Sequence, residues 1–185
     1  MKVFSALLIF LWLASGGINA AEAPAKAATC VACHGADGNS MNPEWPSLAG
    51  QNFDYLVRQL NYFRGGQRNN ALMAPMIAGL SDSDVNELAA YYAAQAPQAA
   101  ASGDVSLIAK GQNVAAYCVS CHGGKGKTAN PEWPNLAGQQ ASYMEQQLAA
   151  YKSGARQHPH MQTVVQRLNA ADMAAVAAYY SQLQP

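Results

Sequence analysis

One short pattern occurs twice in this 185-residue chain, and its two copies contain all four cysteines. Residues 30–34 are Cys-Val-Ala-Cys-His, and residues 118–122, 88 positions later, are Cys-Val-Ser-Cys-His. Cys-x-x-Cys-His is the attachment signature of c-type haem, in which both thiols form thioethers and the histidine binds iron. The pattern therefore predicts two covalently bound haem c groups. The attachment residues would be Cys30, Cys33, Cys118 and Cys121, with His34 and His122 as iron ligands.

The repeat extends far beyond the cysteines. A shift of 88 positions aligns 30–92 with 118–180 without a gap, and 27 of the 63 aligned positions are identical. Domains of about 80 residues are small for an unaided hydrophobic core and often depend on a metal or a cross-link. We expect a first domain over 21–94 and a second over 104–185. The Ala-, Gln- and Pro-containing segment 95–103 has no apolar periodicity and is predicted to be the linker.

Residues 1–20 have the features of a signal peptide. A positively charged start at Lys2 precedes the apolar run 3–13, and small residues lead to a cleavage site near Ala20. The alternative is a membrane anchor, but a bilayer span needs about 20 apolar residues and this run is shorter. We therefore expect export, with the periplasm as destination, which agrees with the attachment of c-type haem outside the cytoplasm.

Charge and motifs exclude several classes of function. Lysine and arginine number 11 against 11 acidic residues, whereas a nucleic-acid surface needs clustered basic side chains. No nucleophile–base arrangement, phosphate loop or flavin motif is recognisable in the sequence. The expectation is a protein that is not an enzyme, with neither a nucleic-acid partner nor a small-molecule substrate.

Apolar spacing predicts helices in both copies and no strand. Predicted helices cover 23–33 and 52–63 in the first copy and 105–121 and 141–151 in the second. Ser81 and Asn169 have the features of helix N-caps, and their helices should continue to Tyr92 and Gln182. The predicted fold is all-α: a tandem pair of domains, each wrapped around one covalent haem.

Two other uses of paired cysteines are less consistent with the sequence. A redox dithiol of the thioredoxin type expects a βαβ context, which the helical pattern does not provide. Two Cys-x-x-Cys pairs could form a zinc site, but such pairs usually lie much closer than Cys33 and Cys118. Four thiolates would also give His34 and His122 no function, so haem is favoured.

The duplication also selects a sixth ligand for each iron. Met41, Met73 and Met76 lie in the first copy, but only Met73 has a methionine counterpart, Met161. Both lie 39 residues after their histidine. A thioether is an axial ligand in cytochromes c and raises the reduction potential, so Met73 and Met161 are predicted ligands.

Two histidines of the second copy compete with Met161. His158 and His160 take the places of Asn70 and Leu72, so they are not part of the shared plan. Surface or supporting roles are favoured for them, whereas ligation by either would give the second haem two histidines and a lower potential. This difference predicts two distinguishable midpoint potentials.

Longer motifs shared by the copies resemble those of class I cytochromes c. They are C-V-A-C-H-G and C-V-S-C-H-G, P-E-W-P-S-L-A-G-Q and P-E-W-P-N-L-A-G-Q, and R-N-N-A-L-M and R-Q-H-P-H-M. The duplicated arrangement is similar to the diheme cytochrome c4 family over nearly the whole mature chain. The resemblance implies that the carbonyls of Pro46 and Pro134 accept hydrogen bonds from His34 and His122. We expect Trp45 and Trp133 to pack near the haem edge, and the alternative is an ordinary place in the core. Recurrence at helix spacing predicts contact at the domain boundary for Tyr55, Gln59, Tyr143 and Gln147, and the alternative is that they line the core of their own domain.

That resemblance implies a soluble periplasmic electron carrier. Its partners would be redox proteins, such as a cytochrome bc-type donor and a terminal oxidase in the membrane. The alternative is a diheme electron-accepting subunit of a dehydrogenase complex, as in flavocytochrome c sulfide dehydrogenases. A third class is a diheme peroxidase, which requires one five-coordinate iron. Rapid binding of cyanide or peroxide to the oxidised protein would favour this class.

Overall fold

The computed structural model describes residues 22–185, so the predicted leader with its cleavage site near Ala20 lies outside the described residues. Between residues 22 and 185 the chain is helical and forms no strand. The β-type pairing there is one isolated antiparallel bridge between Arg68 and Arg156. The all-α prediction is confirmed.

Four helices and one short 3₁₀ turn build the described part of the first half. After the turn Ala25–Ala27 come α1 (Ala28–His34), α2 (Phe53–Arg64), α3 (Met73–Ile77) and α4 (Asp82–Ala93). The second half contains α5 (Ile108–Val114), α6 (Val119–His122), α7 (Ala141–Ser153), α8 (Pro159–Val165) and α9 (Ala170–Gln182). Two more 3₁₀ turns, Val105–Leu107 and Ala115–Tyr117, flank α5.

Both predicted N-caps form full capping boxes. The Ser81 hydroxyl accepts from the Asp84 backbone N–H, and the Asp84 carboxylate accepts from the Ser81 N–H. Asn169 and Asp172 make the same pair of contacts at the start of α9. Each box satisfies two of the backbone donors that a helix start leaves without partners. The helices therefore begin where the sequence predicted.

The single helix predicted over 105–121 was wrong. The segment is broken into a 3₁₀ turn, α5, a second 3₁₀ turn and α6. The tighter turn at Ala115–Tyr117 changes the direction of successive side chains just before Cys118, where φ is −109°. Apolar spacing does not reveal such a break. Helices α3 and α8, which contain Met73 and Met161, were not predicted either.

Each half has a core of its own. In the first, α2 packs on α4 around Leu56, Leu88 and Tyr92. In the second, α7 and α5 both pack on α9 around Met144, Val176 and Tyr180. A further cluster lies beneath α8, formed by Val165, Leu168 and Met173 with Met161 packed against it.

The two halves contact each other through backbone bonds that obey the 88-residue shift. The Tyr55 N–H donates to the Pro131 carbonyl at 3.1 Å, and the Tyr143 N–H donates to the Pro43 carbonyl at 3.0 Å. Tyr143 and Pro131 are the counterparts of Tyr55 and Pro43. The contact between the domains is therefore close to two-fold symmetric.

Residues 94–104, which include the predicted linker, contain no helix. The side chain of Asn39 binds this segment twice, donating to the Ala96 carbonyl and accepting from the Gln98 N–H. Further on, the Ala100 N–H donates to the Gly138 carbonyl at 2.9 Å. The segment is thus held against both halves, while the exact domain limits stay predictions.

No helix in the described range 22–185 is long and apolar enough to cross a membrane.

Candidate functional site

The two predicted proximal histidines lie in the same environment in both domains. His34 ends α1 and its Nδ1 lies 2.9 Å from the Pro46 carbonyl oxygen, while His122 Nδ1 lies 3.0 Å from the Pro134 carbonyl oxygen. A carbonyl can only accept, so each Nδ1 must carry the proton. The lone pair of each imidazole is therefore on Nε2, free for a metal ion. The contacts implied for Pro46 and Pro134 are present.

Burial keeps both imidazoles neutral. His34 and His122 are only 6% and 7% exposed. Burial lowers the pKa of each ring, and the hydrogen bond to its proline carbonyl opposes this only in part. Neutral imidazole is the form that binds metal ions, so both side chains are ready ligands.

A glycine in each domain positions the proline carbonyl. Gly38 has a φ of +80°, and its carbonyl accepts from the Leu48 N–H at 2.7 Å, two residues after Pro46. A Cβ on Gly38 would lie 2.8 Å from both the Ala49 nitrogen and the Tyr92 ring. Gly126 repeats the arrangement in the second domain. Only glycine fits here, because the two loops approach each other closely.

The four predicted attachment cysteines are half-buried thiols. Burial raises the pKa of Cys30, and it raises the pKa of Cys118 to about 11. The first cysteine of each motif is therefore a protonated thiol at neutral pH.

Two buried hydroxyl groups lack partners at equivalent places. Within residues 22–185, neither Tyr92 Oη nor Tyr180 Oη has a hydrogen-bond partner. Burial is the main cause that raises the pKa of each phenol, and the neighbouring Cys30 and Cys118 add to it. Each phenol therefore lies beside the first cysteine of its motif, at the same place in both domains.

Met73 and Met161 are both half-buried, but their helices start differently. Asn70 Oδ1 accepts from the backbone N–H groups of Leu72 and Met73, which makes Met73 the first residue of α3. In the second domain Pro159 occupies the first position of α8, so Met161 lies two residues further into its helix. The two predicted methionine ligands therefore lie at different positions in their helices, the first residue of α3 and the third of α8.

The competing histidines are close together but differ in exposure. His160 is exposed and His158 is half-buried, with ring centroids 5.7 Å apart. His158 Nδ1 is buried without a hydrogen-bond partner among the described residues. Burial lowers the pKa of His158, and the positive charges of Arg58 and Arg156 lower it further. A neutral, poorly satisfied imidazole therefore lies beside the second site and has no counterpart in the first.

Trp45 and Trp133 are half-buried. Trp45 lines an open cleft of about 380 Å³ beside the first motif, together with Val31, Cys33 and Met41. Met41 is 96% exposed, so this side of the first domain presents an apolar surface. In contrast, the Trp133 carbonyl accepts from Asn52 Nδ2 of the other domain.

The four residues expected at the domain boundary meet there through two arginines that the sequence analysis missed. Arg156 is 6% exposed and donates to the Tyr55 hydroxyl at 3.0 Å and to Gln59 Oε1 at 2.8 Å, both in the first domain. It also donates to Gln147 Oε1 at 2.8 Å in its own domain. Recurrence of the same arginine in both copies was the available signal.

Arg68 completes the same arrangement from the other side. It donates to the Tyr143 hydroxyl at 3.0 Å, to Gln147 Oε1 at 2.8 Å and to Gln59 Oε1 at 2.9 Å. Because each glutamine oxygen accepts from both arginines, the two arginines and two glutamines form a closed hydrogen-bonded ring, and one tyrosine of each domain is attached to it. We call these six side chains together the arginine ring: Tyr55, Gln59, Arg68, Tyr143, Gln147 and Arg156.

Comparison with known proteins agrees with this geometry. The family model described as "Cytochrome C oxidase, cbb3-type, subunit III" matches residues 20–91, and the model "Cytochrome c" matches 108–184. Cytochrome c4 of Pseudomonas aeruginosa is 35% identical over 195 residues, which cover 96% of each chain. The chain belongs to the cytochrome c4 family. Members carry two haem c groups and transfer electrons, so the two covalent haems and the electron-transfer role follow.

Two further proteins are similar to this chain, one by its solved structure and one by its sequence. The reduced cytochrome c4 of Pseudomonas stutzeri has a TM-score of 0.79 at 31% identity, covering 86% of this chain and 95% of that one. A protein of Thiomonas intermedia described as a thiosulfate dehydrogenase electron acceptor is 39% identical and covers 86% of this chain and 80% of its own. The duplicated fold is thus shared with proteins of more than one electron-transfer role.

Proposed function

We propose that His34 with Met73, and His122 with Met161, are the axial ligands of two haem irons attached through the four cysteines. Three features support this proposal: the buried neutral imidazoles, the free Nε2 positions and the half-buried methionines. Haem iron with a histidine and a thioether supplies reversible one-electron transfer and has no open position for a substrate.

We further propose that the protein carries electrons in the periplasm between membrane respiratory complexes, from a cytochrome bc-type donor to a terminal oxidase. The leader over residues 1–20 and the cytochrome c4 family support export. For this function, the protein has to hold the two haem sites at a fixed distance from each other and keep solvent away from the iron ligands.

The domain contact is the observation that carries this role. The arginine ring and the paired backbone bonds fasten the two cores together at a fixed separation. A fixed distance between two sites is what an electron needs to pass from one to the other. A domain pair joined only by a flexible linker would not provide it.

Electron transfer with membranes tests the proposal. The purified reduced protein is mixed with membrane vesicles that contain the terminal oxidase of the source organism, and oxidation is followed in the haem absorption bands. We expect rapid, oxidase-inhibitor-sensitive oxidation of both haems, with re-reduction by vesicles that contain the bc-type complex and quinol. Absence of both reactions in vesicles that turn over another cytochrome would contradict the respiratory role.

A second candidate function is electron acceptance from a dehydrogenase. The relative in Thiomonas intermedia bears the name of a thiosulfate dehydrogenase electron acceptor, and it is 39% identical to this chain. In that role the exposed apolar side chains of the first domain, such as Met41 and Leu72, would be covered by the enzyme. The resemblance in sequence suggested a flavocytochrome c sulfide dehydrogenase as an example of such an enzyme, and this relative favours an enzyme that acts on thiosulfate instead.

Purification from the source organism separates the two functions. A carrier elutes as a single chain in size exclusion, whereas a permanent subunit elutes together with its enzyme. Thiosulfate is then added to the purified fraction. Reduction of the haems by thiosulfate in a co-eluting complex supports the second function, and a monomer that thiosulfate leaves oxidised supports the first.

A further inference from the structure

The glutamine that ends each P-E-W-P-x-L-A-G-Q motif points into the other domain. Gln139 is 8% exposed; its Oε1 accepts from the Ser47 N–H at 2.8 Å and its Nε2 donates to the Ser47 carbonyl at 2.8 Å. Gln51, also 8% exposed, makes the same two bonds to Asn135, at 2.8 and 3.0 Å. Because one partner atom is a donor and the other an acceptor, the orientation of each amide is fixed.

These bonds end on the peptide groups that hold the proximal histidines. The carbonyl of Pro46 and the N–H of Ser47 belong to one planar peptide unit. That unit accepts from His34 Nδ1 on one side, at 2.9 Å, and donates to Gln139 Oε1 on the other. A continuous chain of two hydrogen bonds therefore runs from the His34 ring to a side chain of the second domain.

The second domain contains the equivalent arrangement. The peptide unit of Pro134 and Asn135 accepts from His122 Nδ1 at 3.0 Å and donates to Gln51 Oε1 at 2.8 Å. Each of the two proximal histidines is thus connected, through a single peptide group, to a glutamine of the opposite domain. The contacts lie in a part-buried setting, where hydrogen bonds polarise each other more strongly than in water.

We propose that each domain tunes the haem of the other through this crossed contact, with Gln139 acting on His34 and Gln51 acting on His122. An acceptor on the peptide N–H makes the carbonyl of the same peptide a stronger acceptor. That carbonyl then draws the Nδ1 proton more strongly and makes the imidazole a better donor to iron. Oxidised iron gains most from a better donor, so the glutamine lowers the reduction potential. The inference rests on the proposed histidine ligation.

This makes Gln51 and Gln139 positioning residues that couple the two domains. The effect is modest, since cooperative strengthening along such chains is about 10–30% per bond. We expect removal of one acceptor to favour reduction of the opposite haem roughly threefold, which is about 28 mV at 59 mV per tenfold change for one electron. The haem in the mutated domain should keep its potential.

The test uses the complete two-haem protein and four variants. Gln139→Met and Gln51→Met remove the acceptor but keep the volume, while Gln59→Met and Gln147→Met alter the same interface away from the proline peptides. Two readouts are needed: the midpoint potential of each haem, and the NMR signal of each histidine Nδ1–H in the reduced protein. For Gln139→Met, we expect a raised potential of the first haem and an upfield shift of the His34 signal, and Gln51→Met should do the same to the second haem.

A crossed pattern is required. The inference would be overturned if both haems changed their potential equally in each variant, or if only the haem of the mutated domain changed. It would also be overturned if the Gln59 and Gln147 controls gave the same crossed pattern. Gln139→Glu keeps an acceptor oxygen, so its His34 signal should stay in place or move downfield. An upfield shift there equal to that of Gln139→Met would show that packing, not the hydrogen bond, is responsible.

The far-red absorption band from methionine sulfur to ferric iron separates this inference from the proposed ligation. If the unmodified protein lacks the band, the methionine part of the ligand proposal fails, and the crossed shift still tests the coupling through the histidines. If the band is intact in every variant but no crossed shift occurs, the ligation stands and only the coupling between domains is wrong.

Discussion

At the scale of single residues, the duplication was the most informative feature, because it identified residues by their recurrence. His34 and His122 occupy matching buried places with matching proline contacts, as the sequence led us to expect. Arg68 and Arg156 were equally recurrent but were overlooked, because a basic side chain is usually assigned to the surface. Which side chain an arginine meets across a domain boundary depends on packing that no local pattern encodes.

Removal of one predicted thioether tests its role directly. Met73→Ala should halve the far-red band of the oxidised protein and lower the potential of the first haem, since a thioether ligand raises it. The matched control is Met76→Ala in the same helix, whose side chain is 49% exposed. The Met76 variant should retain the full band. An unchanged spectrum for Met73→Ala would exclude it as a ligand.

The residues before the two methionines should make the haems unequal. Asn70 caps α3, whereas His158 and Pro159 precede α8, and the buried Nδ1 of His158 lacks a partner. A redox titration followed in the visible bands should therefore require two midpoint potentials. The variant His158→Asn, which restores the residue of the first copy, should bring them closer together. A single shared potential for the unmodified protein would be inconsistent with this account.

At the scale of helices, sequence patterns located the long elements and missed the short ones. The long helices α2, α4, α7 and α9 lie within two residues of their predicted limits, because apolar spacing and N-caps act locally. The break within 105–121 and the short helices α3 and α8 escaped prediction. These pieces of seven residues or fewer are set by one cap, one proline or one packing contact rather than by periodicity.

The capping box of α4 offers a stability test. Ser81→Ala removes the acceptor for the Asp84 N–H, which should cost about 1 kcal/mol. Ser83→Ala is the control, because its hydroxyl binds only the exposed Glu87 side chain. The free energy of unfolding from urea titration compares the two. Equal losses for both variants would show that the cap does not contribute.

Acid should remove the contribution of the Asp84 carboxylate. Hydrogen bonds from the backbone and hydroxyl of Ser81 lower the pKa of Asp84 in the folded protein. A lowered folded pKa means that the stabilisation is complete above the unfolded pKa of about 3.9 and is lost as pH falls through the folded value. Asp84→Asn should therefore be less stable than the unmodified protein at pH 7. The urea midpoints of the two proteins measure this difference, which should shrink at pH 3. A larger difference at pH 3 than at pH 7 would contradict the lowered pKa of Asp84.

At the scale of the whole molecule, the domain contact was only partly predictable. Recurrence of Tyr55 and Gln59 in the second copy suggested a shared boundary, and these residues do contact the other domain. The near two-fold relation between the domains could not be deduced, since a duplicated sequence is compatible with many relative placements. The linker contacts both halves, but its sequence does not encode how those halves pack against each other.

Breaking the arginine ring should lower the free energy of unfolding and loosen the contact between the domains. Arg156→Met removes the donor to the Tyr55 hydroxyl and one of the two arginine donors to Gln59 and Gln147, which should cost about 1–3 kcal/mol. Arg64→Met is the control, because its ion pair with Asp82 is exposed and such pairs contribute at most about 1 kcal/mol. Urea unfolding measures the loss, and small-angle X-ray scattering detects separation of the domains. A compact, fully stable Arg156 variant would refute this role of the ring.

The central claim is that each of the two covalent haems is closed by a histidine and a methionine. The most direct test is the far-red absorption of the oxidised protein, measured per haem after haem content is determined independently. Two haems per chain should be found, each with the full intensity of the sulfur-to-iron band. A band corresponding to one haem or to none would show that Met73, Met161 or both do not bind iron.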